Sequence, residues 1–348
     1  MAGALTIFNT TNEAEAIWRK AQHSTQCYVF QSFDWCHAWM ETVGSRQGVT
    51  PRIAHISLDE GNVELILPLQ LQRKRAGVVT LGFLGGRQTD HAAPIIYGAD
   101  PVKLDRQNLW TSLKQIMRQC DADVLDLRAL RASVGKLENP LLQERHNQSS
   151  VHTYSLRLSG TWTEFAESRL SSKHRAESRR RWRKLAREGQ LQFVVERSGA
   201  QAQAITRWLI EHKLAQLPRD KAETFEAARE FLLSITSRPF LDPSVRVSAL
   251  TLDHQLVAAH LGVVWQDSLV GIQTAYDPAW RSYGPGRLLM ESLLQYAFDQ
   301  KLHEFDFSIG DGQYKGIYCD CSEPLFWMTY PRTVRGTVYA LYSKWNSS

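Results

Sequence analysis

The residues best suited to chemistry lie in two short stretches of the last third of the sequence. The first is Arg281-Ser282-Tyr283-Gly284-Pro285-Gly286-Arg287. Its glycines allow a sharp turn and let a ligand come close to the backbone amides. A helix is expected to open there, from about Gly286 to Gln300, with Pro285 near its first turn, where a missing N–H costs nothing. A helix N-terminus aims unpaired N–H groups and a partial positive charge at one point, so a pyrophosphate suits this junction. Arg281 and Arg287 flank the glycines; they either pair with phosphate oxygens or stand as solvated loop arginines. The second stretch is Asp306-Phe307-Ser308-Ile309-Gly310-Asp311-Gly312-Gln313-Tyr314-Lys315. Asp306 sits between Phe305 and Phe307 on an expected strand, where alternation turns it away from both rings. It therefore lines a polar cleft or makes a structural hydrogen bond to the backbone. Asp311, between two glycines, has turn formation as its plain reading. His260, between Ala259 and Leu261, reads as an interior histidine.

Charge is concentrated in one place. Segment 169–187 holds Arg169, Lys173, Arg175, Arg179, Arg180, Arg181, Arg183, Lys184 and Arg187 against the single acid Glu177, while the whole chain carries only +5. The remainder is thus net negative, which argues for one anionic contact rather than a broad nucleic-acid face. Like charges at i, i+4 cost about 0.2–0.5 kcal/mol per pair on a helix. A carrier nucleotide, a tRNA acceptor stem, an acidic polysaccharide or lipid headgroups would offset that; the plain alternative is a solvated helix.

The pattern R-x-x-G-x-G after a strand of a β-meander resembles the pyrophosphate loop of the GNAT acyltransferases, which holds the diphosphate of coenzyme A. Ala275-Tyr276-Asp277-Pro278, Tyr283-Gly284-Pro285-Gly286 and the run from Asp306 to Lys315 are more narrowly similar to the subfamily of the cellulose biosynthesis protein CelD and its Fem-like relatives. The Arg-rich helix before Gly189 shares that likeness, as do Phe30-Gln31-Ser32, Leu67-Pro68-Leu69 and Phe83-Leu84-Gly85 in the first half. The resemblance implies direct attack of an amine or hydroxyl on the thioester of an acyl-CoA such as acetyl-CoA. The acceptor would be a small molecule or saccharide, plausibly a sugar or exopolysaccharide or cell-envelope precursor. Asp306 or Asp311 would then serve as base, directly or through water. Tyr314 would donate to the leaving thiolate and Lys315 would bind an anionic group. Arg281, Tyr283, Gly284, Pro285, Gly286 and Arg287 would hold the carrier. Fem-like aminoacyl transfer from tRNA, or a non-catalytic accessory role in polysaccharide (cellulose) biosynthesis, are the alternatives.

These residues need a frame. The 348 residues suit two domains, placed at 1–150 and 151–348 with the division in the polar run Gln143–Ser150. The fold class expected is α/β (α+β), with tandem GNAT-like domains, each a mixed, mainly antiparallel sheet flanked by helices; the resemblance makes the first a degenerate copy. In the second, a strand at His152–Leu158 precedes one long helix from about Thr161 to Glu188. Three strands, Val245–Leu252, Leu256–Trp265 and Leu269–Ala275, are separated by Asp253-His254 and Gln266-Asp267, which predicts an antiparallel meander. Closing strands are expected over Leu325–Tyr342. The five cysteines are odd in number, and Cys319-x-Cys321 lacks the second pair or histidines of a zinc site, so no metal is expected. No signal peptide or run of roughly 20 apolar residues is evident, so a cytoplasmic location without a transmembrane segment is expected.

Overall fold

A computed structural model describes residues 4–58, 62–142, 146–237, 244–310 and 315–345. The chain forms two compact units: Met1–His152 with Glu323–Ser348, and Thr153–Ser322. The sequence reading assigned everything after 150 to the second; instead residues from Glu323 return to the first. The polar run read as a linker becomes strand at Asn147, and its residues 143–145 lie outside those described.

The first unit begins with β1 (Ala4–Phe8), α1 (Thr11–Ser24) and α2 (Phe33–Trp39). Next come β2 (Thr50–Leu58), β3 (Val63–Arg73), β4 (Val79–Phe83), β5 (Ile95–Gly98), α3 (Arg106–Gln119), β6 (Val124–Leu130) and the small pair β7 (Ser133–Val134) and β8 (Leu137–Glu138). Its sheet runs β1-β2-β3-β4-β6 and is antiparallel except between β4 and β6, with β5 also paired to β3. Apolar side chains of β2, β3, β4 and β6 pack against Leu109, Leu113, Ile116 and Met117, the i, i+4, i+7 face of α3.

The second unit begins in β9 (Asn147–Arg157) and continues through α4 (Trp162–Arg169), α5 (Ser172–Leu185), β10 (Leu191–Glu196), α6 (Ala200–Gln216), α7 (Arg219–Glu226) and α8 (Arg229–Ser237). It then runs through β11 (Ser244–Leu252), β12 (Gln255–Trp265), β13 (Ser268–Tyr276), α9 (Pro285–Asp299), β14 (Glu304–Ile309) and the short α10 (Lys315–Tyr318). The sheet order is β9-β14-β13-β12-β11-β10, with only β13 and β14 parallel. Asp253, His254, Gln266 and Asp267 all have positive φ, as two-residue hairpin turns of the meander require. Leu288, Leu289, Leu293, Leu294 and Ala297 of α9 pack into the core with Phe305 and Phe307.

Both units are thus mixed α/β with mainly antiparallel sheets, as the sequence predicts. Two elements differ. The long helix is two, because Leu170 leaves the helical conformation and Ser171 caps the next helix: its side chain accepts from the His174 amide at 3.1 Å. Arg175 then reaches back to the carbonyls of Ala166, Glu167 and Leu170, closing the end of α4. The expected closing strands are one strand, β15 (Cys321–Pro331), which pairs with β6, followed by a helix, α11 (Val334–Trp345). No described helix is long and apolar enough to cross a membrane.

Candidate active site

The site is built where β13 and β14 part. They pair over only three residues, Ser268, Leu269 and Val270 opposite Glu304, Phe305 and Asp306. β13 then continues to Tyr276 without β14 beside it. The pairing of β12 with β13 slips at the same level, from Leu261 opposite Gln273 to Gly262 opposite Gly271, which leaves Ile272 as an extra, bulged residue. Bulges re-aim strands and commonly adjoin active sites. On the other side, β14 loses register with β9 just after Asp306, and Ser308 takes a φ of 56°. Gly271, Ile272, Gln273 and Thr274 are accordingly only half-buried although they lie inside the sheet.

Beyond the opening, β13 leads into the glycine loop. Asp277 caps a 3-10 turn, Pro278–Tyr283, by accepting from the Ala279 amide at 2.8 Å. Gly284 then adopts φ 69°, ψ 48° and serves as the N-cap of α9, with Pro285 as first helical residue and no side chain capping the end. Gly284 is suited by its left-handed φ, and a Cβ there would displace the guanidinium of Arg181, which lies against it. Gly286 is different. Its φ is ordinary, and a Cβ would meet only Tyr276 Cδ1 at 3.6 Å. The fold does not demand glycine at 286, whereas a ligand approaching the exposed amides would.

The basic segment is the second wall of this loop. Arg181 of α5 lies over Gly284, its Nε held by Glu177 Oε1 at 2.7 Å. Arg180, with Arg181 behind it, pushes the Glu177 carboxyl down to about 2. Lys184 Nζ lies 4.3 Å from the centre of the Tyr283 ring, whose hydroxyl donates to Glu188 at 2.7 Å. Lys173, Arg179, Arg183 and Arg187 are exposed.

A polar cluster fixes α5 to α9. Arg287 Nη2 donates to the His174 carbonyl and to Ser178 Oγ, both at 2.7 Å, while its Nε lies 3.2 Å from Glu291 Oε1. The same carboxylate oxygen accepts from Ser178 Oγ at 2.6 Å and from the Tyr318 hydroxyl at 3.0 Å, and lies 2.9 Å from His174 Nε2. Burial and the neighbouring carboxylate push the Tyr318 phenol far up, so it stays a donor.

The sequence-predicted residues separate into groups. Arg281, Tyr283, Gly284, Pro285, Gly286 and Arg287 span the end of the 3-10 turn and the first residues of α9. Within it Arg281 faces solvent, whereas Arg287 is engaged with α5. Asp306 is buried, and its Oδ1 accepts from the Ser308 amide at 2.7 Å, holding the turn that ends β14. Lys315 departs from the expectation of an anion-binding group. It is 3% exposed, and its ammonium donates to the carbonyls of Phe307, Ser308 and Ile309 at 2.9, 3.1 and 2.7 Å. Those bonds use its three donors to close the irregular end of β14. Asp311 and Tyr314 lie outside the described residues. His260 is interior, as read: burial depresses its imidazole to about 4, and Nδ1 has no partner among the described residues.

Sequence reasoning passed over Lys213 and Gln216 of α6. They donate to the carbonyls of Thr274 at 3.3 Å and Tyr276 at 2.6 Å, on the stretch of β13 that β14 leaves. Burial lowers the Lys213 ammonium below its usual range. It also missed His174, Ser178, Glu291 and Tyr318, although the i, i+4 pairs His174/Ser178 and Arg287/Glu291 were legible as two complementary helix faces.

A bulged strand parting from its parallel neighbour, followed by a glycine loop that opens a helix, is the arrangement on which the comparisons bear. Residues 172–316 match the family model of the acetyltransferase (GNAT) domain. This GNAT-type stretch is under half of the chain and contains the loop, the parted strands and the basic helix. Solved structures extend the likeness of fold to almost the whole chain. FemX superposes with a TM-score of 0.61 at 11% identity, covering 97% of this chain and 99% of its own. A conserved protein of unknown function from Bacteroides thetaiotaomicron VPI-5482 gives 0.56 at 10% identity, covering 94% and 100%. The C-terminal domain of a putative lysylphosphatidylglycerol synthetase from Agrobacterium fabrum gives 0.52 at 11%, covering 96% and 95%. No curated protein matches the sequence.

Proposed function

We propose that the protein is an acyltransferase that moves an acyl group from an acyl-CoA to an amino or hydroxyl acceptor. The observation that carries this reading is the bare Gly284–Gly286 turn at the start of α9, placed at the end of the strand that parts from β14. In this reading the Gly286 amide, at the positive end of α9, and Arg181 hold the diphosphate of the carrier. The carrier supplies a thioester. Backbone N–H groups of Gly271–Thr274 polarise its carbonyl across the opening. Asp306, with Asp311 as the second acid, takes the proton of the attacking amine or hydroxyl, directly or through water. Tyr314 is assigned to reprotonate the leaving thiolate. A sugar or cell-envelope precursor as acceptor is supported by the resemblance to CelD-type proteins, and the first unit would then be a degenerate copy of the same fold.

A second reading keeps the chemistry and changes the donor to an aminoacyl-tRNA. The basic face of α5 beside the loop favours it, as does the likeness of fold to FemX. Calorimetric titration with acetyl-CoA and longer acyl-CoAs at moderate salt tests the first reading, with saturable binding expected. Failure of every acyl-CoA to bind, together with salt-sensitive binding of tRNA, would overturn it in favour of the second.

A further inference from the structure

Helix α11 is built inside out. Its inner face consists of small or tethered residues. Gly336 is buried, and a Cβ there would strike the Asp123 carbonyl oxygen. Tyr339 donates to Asp126 at 2.7 Å, and Ser343 is bonded by Arg128. Its large apolar residues point the other way: Val334, Val338, Leu341, Tyr342 and Trp345 are 63–83% exposed. At 100° per residue these five fall within an arc of about 100°. Arg335 and Lys344, both exposed, border that arc on its two sides. From Pro324 to Trp345 the sequence contains no acidic residue.

We propose that α11 seats the protein on an anionic lipid bilayer, lying in the plane of the interface. An apolar arc closed by an aromatic residue and bordered by basic side chains fits that surface. The apolar groups enter the acyl boundary, and the cations reach sideways to phosphate headgroups. The charge argues against a second copy of this chain as the occupant. Two such faces packed about a two-fold axis would gather four cations, Arg335 and Lys344 of each copy, around one small interface, with no acid of α11 to pair with them. Five side chains also fall well short of the roughly 20–30 residues per partner that stable protein interfaces use. This inference stands independently of the transferase reading.

The test is flotation of the full chain with vesicles of phosphatidylcholine containing phosphatidylglycerol, beside vesicles of phosphatidylcholine alone. The protein is expected to float with the anionic vesicles and to be released by high salt. The Val338→Asp/Leu341→Asp variant should lose flotation. The Arg335→Glu/Lys344→Glu variant should lose at least roughly thirtyfold in affinity, from about fivefold for each cation removed near an anionic surface. All four positions are exposed, so an unchanged melting temperature checks that the variants fold. Three results would overturn the proposal: no flotation of the unaltered protein; flotation that survives both variants but is lost in Arg179→Glu/Arg183→Glu, which assigns lipid binding to α5; or a concentration-dependent dimer in sedimentation that Val338→Asp/Leu341→Asp dissociates.

Discussion

Replacing Gly286 with valine separates what the fold needs from what a ligand needs. A Cβ at 286 has ordinary contact with Tyr276 Cδ1 at 3.6 Å and no other close neighbour. Valine is a better helix former than glycine by a few tenths of a kcal/mol, so stability should be unchanged or slightly raised. The two added methyl groups would stand over the Gly286 amide, the donor that the proposed reading assigns to the diphosphate. Pro285 has no N–H and the Arg287 and Leu288 amides donate to the Gly284 carbonyl, so the loss is one charge-assisted hydrogen bond, from the Gly286 amide, at about 1.5–3 kcal/mol. At about 1.4 kcal/mol per decade this is a loss of at least about tenfold in acetyl-CoA affinity. Calorimetric titration reads the affinity, and a thermal melt on the same sample reads the fold. An affinity within about threefold of the unaltered protein, with the melt also unchanged, would refute the placement of the diphosphate. Gly284→Ala is the contrasting control. Its φ of 69° and the overlying Arg181 make that change destabilising, by about 1–2 kcal/mol from the backbone alone.

Three further outcomes follow from the same region. Glu291→Ala leaves Arg287, His174, Ser178 and Tyr318 without their shared acceptor and should cost about 3–5 kcal/mol in denaturant unfolding. Lys315→Met strips three carbonyls of their donor and should cost about 3 kcal/mol of stability; a pure rise in donor KM with no loss of stability would restore it as a ligand-binding lysine. His260 titrates near 4 in the fold against about 6.5 unfolded, so the unfolded chain binds more protons between those values. Its contribution is therefore intact above about pH 6.5 and is lost as pH falls toward 4; His260→Gln should flatten that part of the melting-temperature profile.

Local signals were legible where one residue type decides. The meander was readable because two-residue turns interrupt apolar strands at Asp253-His254 and Gln266-Asp267, and the start of α9 because glycine and proline punctuate it. The break at Ser171 was hidden because the flanking charge run carries no apolar period to show a change of direction. The part of α11 up to Tyr342 read as strand because valine and tyrosine recur through it, and its packing rests on Gly336 and Ser343 instead. Lys315 illustrates a deeper limit. A lysine in a polar run reads as a surface group, and only the path of β14 reveals three carbonyls converging on it. The parting of β13 from β14 is likewise a property of two strands distant in sequence, which no window along the chain contains.

The return of residues from Glu323 to the first unit has a consequence for synthesis. The strand that pairs with β6, and the helix after it, are translated only after the whole of Thr153–Ser322. At about 5–20 residues per second, that delay is on the order of 10–30 s. During it β6 lacks a partner on one side, and so does β9, because β15 is the neighbour of both strands. A chaperone acting on the nascent chain would thus find two open strand edges, at β6 and at β9, until β15 is made.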